Sequence, residues 1–362
     1  MGSKSSIEWT QTVSADGSVS PGATWNPVRG CSMANGSETG GCLNCYAARL
    51  NARGLPGMVS PTTGEPFARI LESGPRWTGR VELIEKALTL PLKWRKPKRI
   101  FVNSLSDLFH ESLLDEEIDR VFSIMAGCHQ HTFQVLTKRP ERMLKYLLRF
   151  KPDGRGWVTP GGEDAELTHC PVDAARWPLP NIWLGTSIEN QTTADMRIPL
   201  LLQTPAVKRF VSYEPALGPV DFRKWTDEGL ECGTCDWTGV ESEDLLREHA
   251  DSGIRGSSED SWYACPKCNA ECAHLPIDER LDWIIIGGES GPGARPFDIQ
   301  WARQVIKQCA AAGVACFVKQ LGAKPHERRV NGDHVFFDLK DRKGGSMEEW
   351  PEDLRVREMP DV

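Results

Sequence analysis

Thr132-Phe133-Gln134-Val135-Leu136-Thr137-Lys138-Arg139-Pro140-Glu141-Arg142-Met143-Leu144-Lys145-Tyr146-Leu147-Leu148 is the stretch from which the architecture can be worked out. Thr132–Thr137 is a short apolar run of the kind that forms a buried strand. Lys138-Arg139 is a polar turn. Pro140–Phe150 carries a helical period, with Met143, Leu144, Leu147 and Leu148 on one apolar stripe. The same unit recurs on both sides. Strands are expected at Arg99–Asn103, Asn181–Thr186, Lys208–Ser212, Trp283–Ile286 and Ala315–Val318, and an earlier one through Thr24–Arg29 leads to Cys31. Helices are expected at Asp115–Cys128, whose opening Asp-Glu-Glu suits a helix N-terminus, and at Thr192–Leu202 and Ile299–Ala312. Alternating strands and helices imply an α/β fold with a parallel sheet under helical cover. Seven such units predict a closed or partial TIM-type barrel rather than an open sheet.

Polar groups follow nearly every strand: Asn103, Ser104 and Asp107; Lys138 and Arg139; Ser187, Glu189 and Asn190; Glu214; Gly287-Gly288-Glu289; and Lys319-Gln320. In α/β barrels the carboxyl ends of the strands converge on one mouth, so these residues are predicted to share a site. Two segments break the pattern. Gly154–Pro180 is rich in Gly, Pro and acidic residues and reads as an irregular loop. Glu228–Pro276 reads as an insert. The predicted organisation is a barrel over 1–227 and 277–343, a Cys-rich insert over 228–276 and an extended tail over 344–362.

The chain has 362 residues, 40% of them hydrophobic, and a formal charge of −7. That charge disfavours non-specific nucleic-acid binding across the whole surface. Two local basic segments remain, Lys93–Arg99 and Lys138-Arg139 with Arg142, Lys145 and Arg149; each reads first as a solvated face. No run approaches a membrane span, and Met1–Thr10 carries no apolar signal region. The expectation is a cytoplasmic protein. No nucleophile elbow or His-Glu-x-x-His motif supports a hydrolase.

Twelve cysteines without an export signal point to metal or redox sites rather than disulfides. Cys309 and Cys316 are expected to be small core residues. Cys31, Cys42 and Cys45 form C-x10-C-x2-C. Three thiolates can hold three irons of a [4Fe–4S] cube and leave the fourth iron open. Zinc with a fourth ligand elsewhere, a structural cluster, and three unligated thiols answer the same spacing.

Trp25-Asn26-Pro27-Val28-Arg29-Gly30-Cys31 with Cys42-Leu43-Asn44-Cys45-Tyr46-Ala47 resembles a phage- and bacterium-borne family of largely unassigned function, which in turn looks like a divergent branch of the radical S-adenosylmethionine (SAM) superfamily. The resemblance continues through Asn103–Asp107, Leu136–Pro140, Leu184–Asn190, Ser212–Pro215, Gly287–Pro296, Lys319-Gln320 and Trp350–Leu354. It implies a radical-SAM-like barrel, a [4Fe–4S] cluster on Cys31, Cys42 and Cys45, and a 5′-deoxyadenosyl radical made from SAM. It also implies partners for the cofactor: Asn103, Ser104 and Asp107 at the methionine end, Ser187 and Glu189 nearby, and Lys138 and Lys319 for a carboxylate or phosphate. Glu214 and Glu289 suit ribose hydroxyls, a substrate amine or proton transfer. The sequence departs from the superfamily's pattern in three ways. The first cysteine gap is ten residues instead of three, Asn44 replaces the aromatic residue before the third cysteine, and Gly-Gly-Glu follows the sixth strand instead of the second.

Cys232, Cys235, Cys265 and Cys268 form two C-x2-C knuckles 29 residues apart, a zinc-ribbon pattern. An auxiliary iron–sulfur cluster is the rival, and His249, Cys272 and His274 are spare ligands. The functional expectation is a radical SAM isomerase, mutase or lyase acting on a modified nucleic-acid base such as a phage DNA thymine, fed by a reductase or flavodoxin-type donor in the cytoplasm of the host cell. The alternatives are a DNA-lesion lyase, an RNA- or peptide-modifying enzyme, and a non-catalytic zinc-stabilised nucleic-acid-binding module.

Overall fold

The computed structural model describes residues 5, 7–13, 19–34, 40–55, 57–72, 74–149, 177–226, 229–231, 234–235, 238–240, 246–248, 261–270, 273–274, 280–329 and 332–361. Most of the irregular 154–180 segment, Cys232, His249 and Cys272 lie outside the described residues.

Seven strands form one parallel sheet: β1 (Ala23–Trp25), β2 (Arg99–Val102), β3 (Thr132–Thr137), β4 (Ile182–Ile188), β5 (Lys208–Tyr213), β6 (Trp283–Gly287) and β7 (Ala315–Gln320). Their order in the sheet is their order in the chain, from β1 at one edge to β7 at the other. A doubly wound sheet reverses strand order at a switch point. This one does not, and it curls into a half-barrel compatible with a TIM-like fold.

The strands are apolar on both faces, as a covered parallel sheet requires. Outward residues such as Val135, Leu184, Val211, Ile284 and Val318 join the main core beneath the helices. Those helices are α2 (Asp115–Gly127), α3 (Pro140–Leu147), α4 (Gln191–Leu202) and α5 (Ile299–Ala312). In α3 the buried stripe is Met143, Tyr146 and Leu147, while Leu148 is exposed. Tyr146 takes the inward place expected of Leu148, and its hydroxyl donates to Asp119 Oδ1 at 2.6 Å. Cys309 and Cys316 are fully buried core residues.

Inward residues form a second, smaller core: Phe101, Trp183, Phe210, Trp283, Ile285 and Phe317. They fill the half of the barrel toward the strand N-termini. Trp9, from a short 3-10 turn near the chain start (Glu8–Thr10), inserts among them. Its ring lies 4.7 Å from Phe101 and 6.1 Å from Trp283. The cavity at the carboxyl ends of the strands reaches down to this aromatic plug, with Trp9 and Phe101 in its lining.

The C-terminal residues are packed against the barrel. Trp350 and Leu354 are buried, and Val318 N–H donates to Val356 O while Glu358 N–H donates to Cys316 O. The tail thus satisfies the outer edge of β7, which would otherwise expose unpaired backbone groups. Among the described residues, no helix is long and apolar enough to cross a membrane.

Candidate functional site

The open end of the half-barrel is a cavity of about 1030 Å³. Its wall contains Cys31, Cys42 and Cys45 together with Asn103, Ser104, Asp107, Lys138, Ser187, Glu214, Glu289 and Lys319. The residues that the sequence pattern placed after the strands therefore do converge. Glu189, Asn190 and Gly287 are exceptions: Glu189 sits fully buried behind the wall, Asn190 caps the helix Gln191–Leu202, and Gly287 ends its strand without lining the cavity.

The cysteine loop is placed by tertiary anchors. Trp25 is fully buried, its indole N–H donating to Ala87 O at 2.8 Å. Asn26 Oδ1 then accepts from Leu105 N–H at 2.9 Å, locking the turns after β1 and β2 together. Val28-Arg29 leaves the main sheet and pairs antiparallel with Glu82-Leu83. The expected single strand Thr24–Arg29 is therefore two pieces broken at Asn26-Pro27, where proline removes a ladder donor. Gly30 has φ +87° and lies so close to Arg80 O that a Cβ there would stand 1.9 Å away; only glycine delivers Cys31 into the mouth.

Further along, Gly41 N–H donates to Glu189 Oε1 at 3.3 Å. Asn44 Nδ2 donates to Glu289 Oε2 at 3.2 Å and to Gly293 O at 3.1 Å. Arg295 donates to Gly40 O at 3.1 Å, and Arg76 to Leu43 O at 3.2 Å. Cys45 stands at the N-cap of α1 (Tyr46–Asn51). Burial raises its thiol pKa, against backbone N–H groups of Ala48 and Ala47 that lower it.

Burial also pushes the Cys31 thiol up to about 12; Asp107 adds to the rise and Arg139 opposes it. A thiol held protonated in this way is a poor nucleophile. Such a thiol can serve as a metal ligand only by losing that proton.

Arg139 holds this corner together. Nε donates to both Glu111 oxygens at 2.9 and 2.8 Å, and Nη1 to Asp107 Oδ2 at 3.2 Å and Cys31 Sγ at 3.7 Å. Nη2 donates to Ser32 Oγ at 3.0 Å. The sequence marked Arg139 as a residue after a strand and as part of a basic segment, without a role at the cysteines. The links to Cys31 and Ser32 span more than a hundred residues and carry no local signal.

The remaining charges sort by their partners. Glu289 accepts two side-chain bonds from Arg295 at 2.9 and 2.7 Å and one from its backbone N–H at 2.9 Å. Burial alone would raise its pKa, but Arg295 holds it below the usual carboxylate range. Glu189 is likewise held low by Lys138 and Arg197 against its burial. Both carboxylates anchor the cysteine loop. Lys319 and Glu214 instead project into the cavity as a bidentate pair at 2.7 Å. Asn103 is 3% exposed, has φ +59°, and neither its Oδ1 nor its Nδ2 has a partner among the described residues. A buried amide without partners is costly, so it marks a place where a polar ligand belongs.

Apart from Lys138 and Arg139, which line the cavity, the basic segments fall elsewhere. Lys93–Arg99 runs into the N-terminal end of β2, away from the mouth. Arg142 and Arg149 pair with Asp115.

Three cysteines of the second group that are described, Cys235, Cys265 and Cys268, bring their sulfurs within 4.8 Å of one another. Cys235 and Cys265 are 3.5 Å apart. A single zinc with 2.3 Å bonds sets its sulfurs about 3.8 Å apart. Lys267 N–H donates to Cys265 Sγ at 3.4 Å, and Asn269 closes the knuckle at φ +60°. Among the described residues this is the only set of three or more such ligand atoms so close together. Cys31, Cys42 and Cys45 share the cavity wall, and their three sulfurs do not all lie within 4.8 Å of one another.

A model of a protein family of unknown function, DUF5131, matches residues 4–349. The chain belongs to that family. No curated protein and no solved structure matches it.

Proposed function

We propose that this DUF5131 chain is an iron–sulfur enzyme of the radical SAM type, with a [4Fe–4S] cluster on Cys31, Cys42 and Cys45, acting on a nucleic-acid base. The observation that carries the reading is one of placement. Three cysteines share the wall of a large cavity at the carboxyl end of a parallel half-barrel with ion-paired side chains and with a buried amide that has no partner among the described residues.

When bound, the cluster and SAM supply an organic radical able to abstract an unactivated hydrogen and so start an isomerisation or a bond cleavage. The chain's own part is to position and to exclude water. The Trp9 plug closes the barrel from below. Arg139 holds Cys31 and balances negative charge at that corner. Asn103 offers both donors and acceptors to a bound polar group. Lys319 and Glu214 present one cation and one carboxylate for the charged ends of cofactor or substrate, and Ser187 adds a hydroxyl. A reductase or flavodoxin-type protein is the proposed electron source.

The second cysteine group is proposed to hold one Zn²⁺ through Cys235, Cys265 and Cys268, with Cys232 as fourth ligand by its spacing. The contacts between those three sulfurs support it.

The test is anaerobic reconstitution with iron, sulfide and reductant, beside a variant lacking Cys31, Cys42 and Cys45. The expected result is about four irons per chain and 5′-deoxyadenosine from SAM in the wild type alone. Colourless protein with zinc and no SAM cleavage would replace the proposal with the binding-module reading.

A further inference from the structure

Beside the mouth, Ala68–Leu71 and Gly74–Trp77 form an antiparallel hairpin packed on α1. Its register sets Arg69 directly opposite Arg76. Like charges opposed across a strand pair repel each other and destabilise the hairpin. Arg69 makes no hydrogen bond or ion pair to the described residues, and Arg76 uses one guanidinium nitrogen on backbone carbonyls. Together with Arg80 these side chains line a hollow of about 410 Å³ that also contains Glu65. Arg80 donates to Thr63 and lies 3.9 Å from Glu82. Trp77 lines both this hollow and the main cavity, so the two adjoin.

We propose that this hollow binds a backbone phosphate of a nucleic-acid chain whose reacting nucleotide enters the main cavity past Trp77. An anion between Arg69 and Arg76 turns their repulsion into a shared contact, and arginine's planar fork suits phosphate oxygens. The surroundings fit a polymer rather than a free nucleotide. Residues 46–80 carry five arginines and no lysine against two carboxylates, in a chain of charge −7. That is more cation than one phosphate needs. Ile70 and Leu71, 61% and 52% exposed, stand at the end of the hairpin, where they can pack against bases. This proposal rests on the nucleic-acid reading above and names the surface that grips the strand.

The probe is a fluorescein-labelled single strand of about twenty nucleotides, and its duplex, titrated by anisotropy at several salt concentrations. The proteins are the wild type, Arg69→Glu with Arg80→Glu, and Lys93→Glu with Lys96→Glu at the far end of the barrel. Arg76 is left alone because it holds the cysteine loop. The hairpin variant is expected to bind at least about tenfold more weakly, with the salt slope reduced by about one per lost phosphate contact. The far-end variant is expected to match the wild type. Binding equal in wild type and hairpin variant, or no binding by the wild type, overturns the proposal. So does displacement of the probe by thymidine monophosphate as effective as displacement by unlabelled strand, which identifies a free nucleotide as the ligand. Release of 5′-deoxyadenosine without substrate, measured in the same variants, is expected to persist; it reports on the radical chemistry separately from the grip.

Discussion

Glu189→Gln tests whether the cysteine loop is held by buried charge. The carboxylate is 0% exposed and lies between Lys138 and Arg197, the latter at 3.1 Å. The amide keeps the shape and removes the charge that Lys138 and Arg197 share. Removing one partner of a buried pair costs about 3–5 kcal/mol. Lys138 retains 21% of its side-chain exposure and rehydrates in part, which places the expected cost near the lower end, about 3 kcal/mol. Unfolding entropy of about 2.1 cal/mol/K per residue over the whole chain gives roughly 0.8 kcal/mol/K, so the thermal midpoint falls by about 4 °C. The pH dependence has a definite sign. Burial works to raise the Glu189 pKa, and Lys138 and Arg197 outweigh it, so the folded value is depressed. The stabilisation is therefore complete above the unfolded value of about 4.3 and is lost as pH falls from there through the folded value. Scanning fluorimetry of wild type and variant checks both points. A variant melting within about 1 °C of wild type at neutral pH, or a gap that widens in acid, refutes the reasoning.

Other expectations are more direct. Arg139→Gln removes a cation and a donor from Cys31 Sγ, so in reconstituted protein the cluster's midpoint potential should fall, read by electron paramagnetic resonance in a redox titration; an unchanged potential would remove Arg139 from that role. Gly185→Ala places a Cβ 2.6 Å from the Phe210 ring and should cost about 1–3 kcal/mol by overpacking, measured by urea unfolding. Cys265→Ser should abolish binding of one zinc equivalent while leaving iron content unchanged; cobalt substitution, whose absorption reports thiolate ligands, checks the site, and loss of iron instead would point to an auxiliary cluster.

The central strands were legible because a parallel sheet buried on both faces leaves continuous apolar runs. Their ends were not, because the inward residues near the mouth are polar. β4 continues through Ser187 to Ile188, and the apolar reading stopped at Thr186. Leu148 and Tyr146 show a related limit: the helical stripe was visible, but which residue at its margin turns inward depends on Asp119 of another helix. The Trp9 plug had no local signal at all. A three-residue turn has no period, and its burial is a property of the barrel that receives it.

The site was legible as a set of residues but not as a set of roles. A carboxylate after a strand looks the same in sequence whether it faces a cavity or a buried arginine. Glu189 and Glu289 face arginine and lysine, and both reach the cysteine loop, as do Arg139, Arg76 and Arg295. Those contacts hold Ser32, Gly40 and Gly41 between Cys31 and Cys42, and Leu43 and Asn44 just beyond. A short gap positions its cysteines by local turn geometry; here the described residues flanking the cysteines are held by groups from the ends of β3, β4 and β6 and from the hairpin. The charges that the sequence pattern marked for chemistry are thus largely engaged in building the mouth. Asn103, Ser187 and the Lys319–Glu214 pair are among the polar groups left to face its contents. Substitutions at Glu189 or Glu289 should therefore disturb metal retention and stability together, whereas Asn103→Ala should weaken ligand binding in a protein that still folds and still holds its iron.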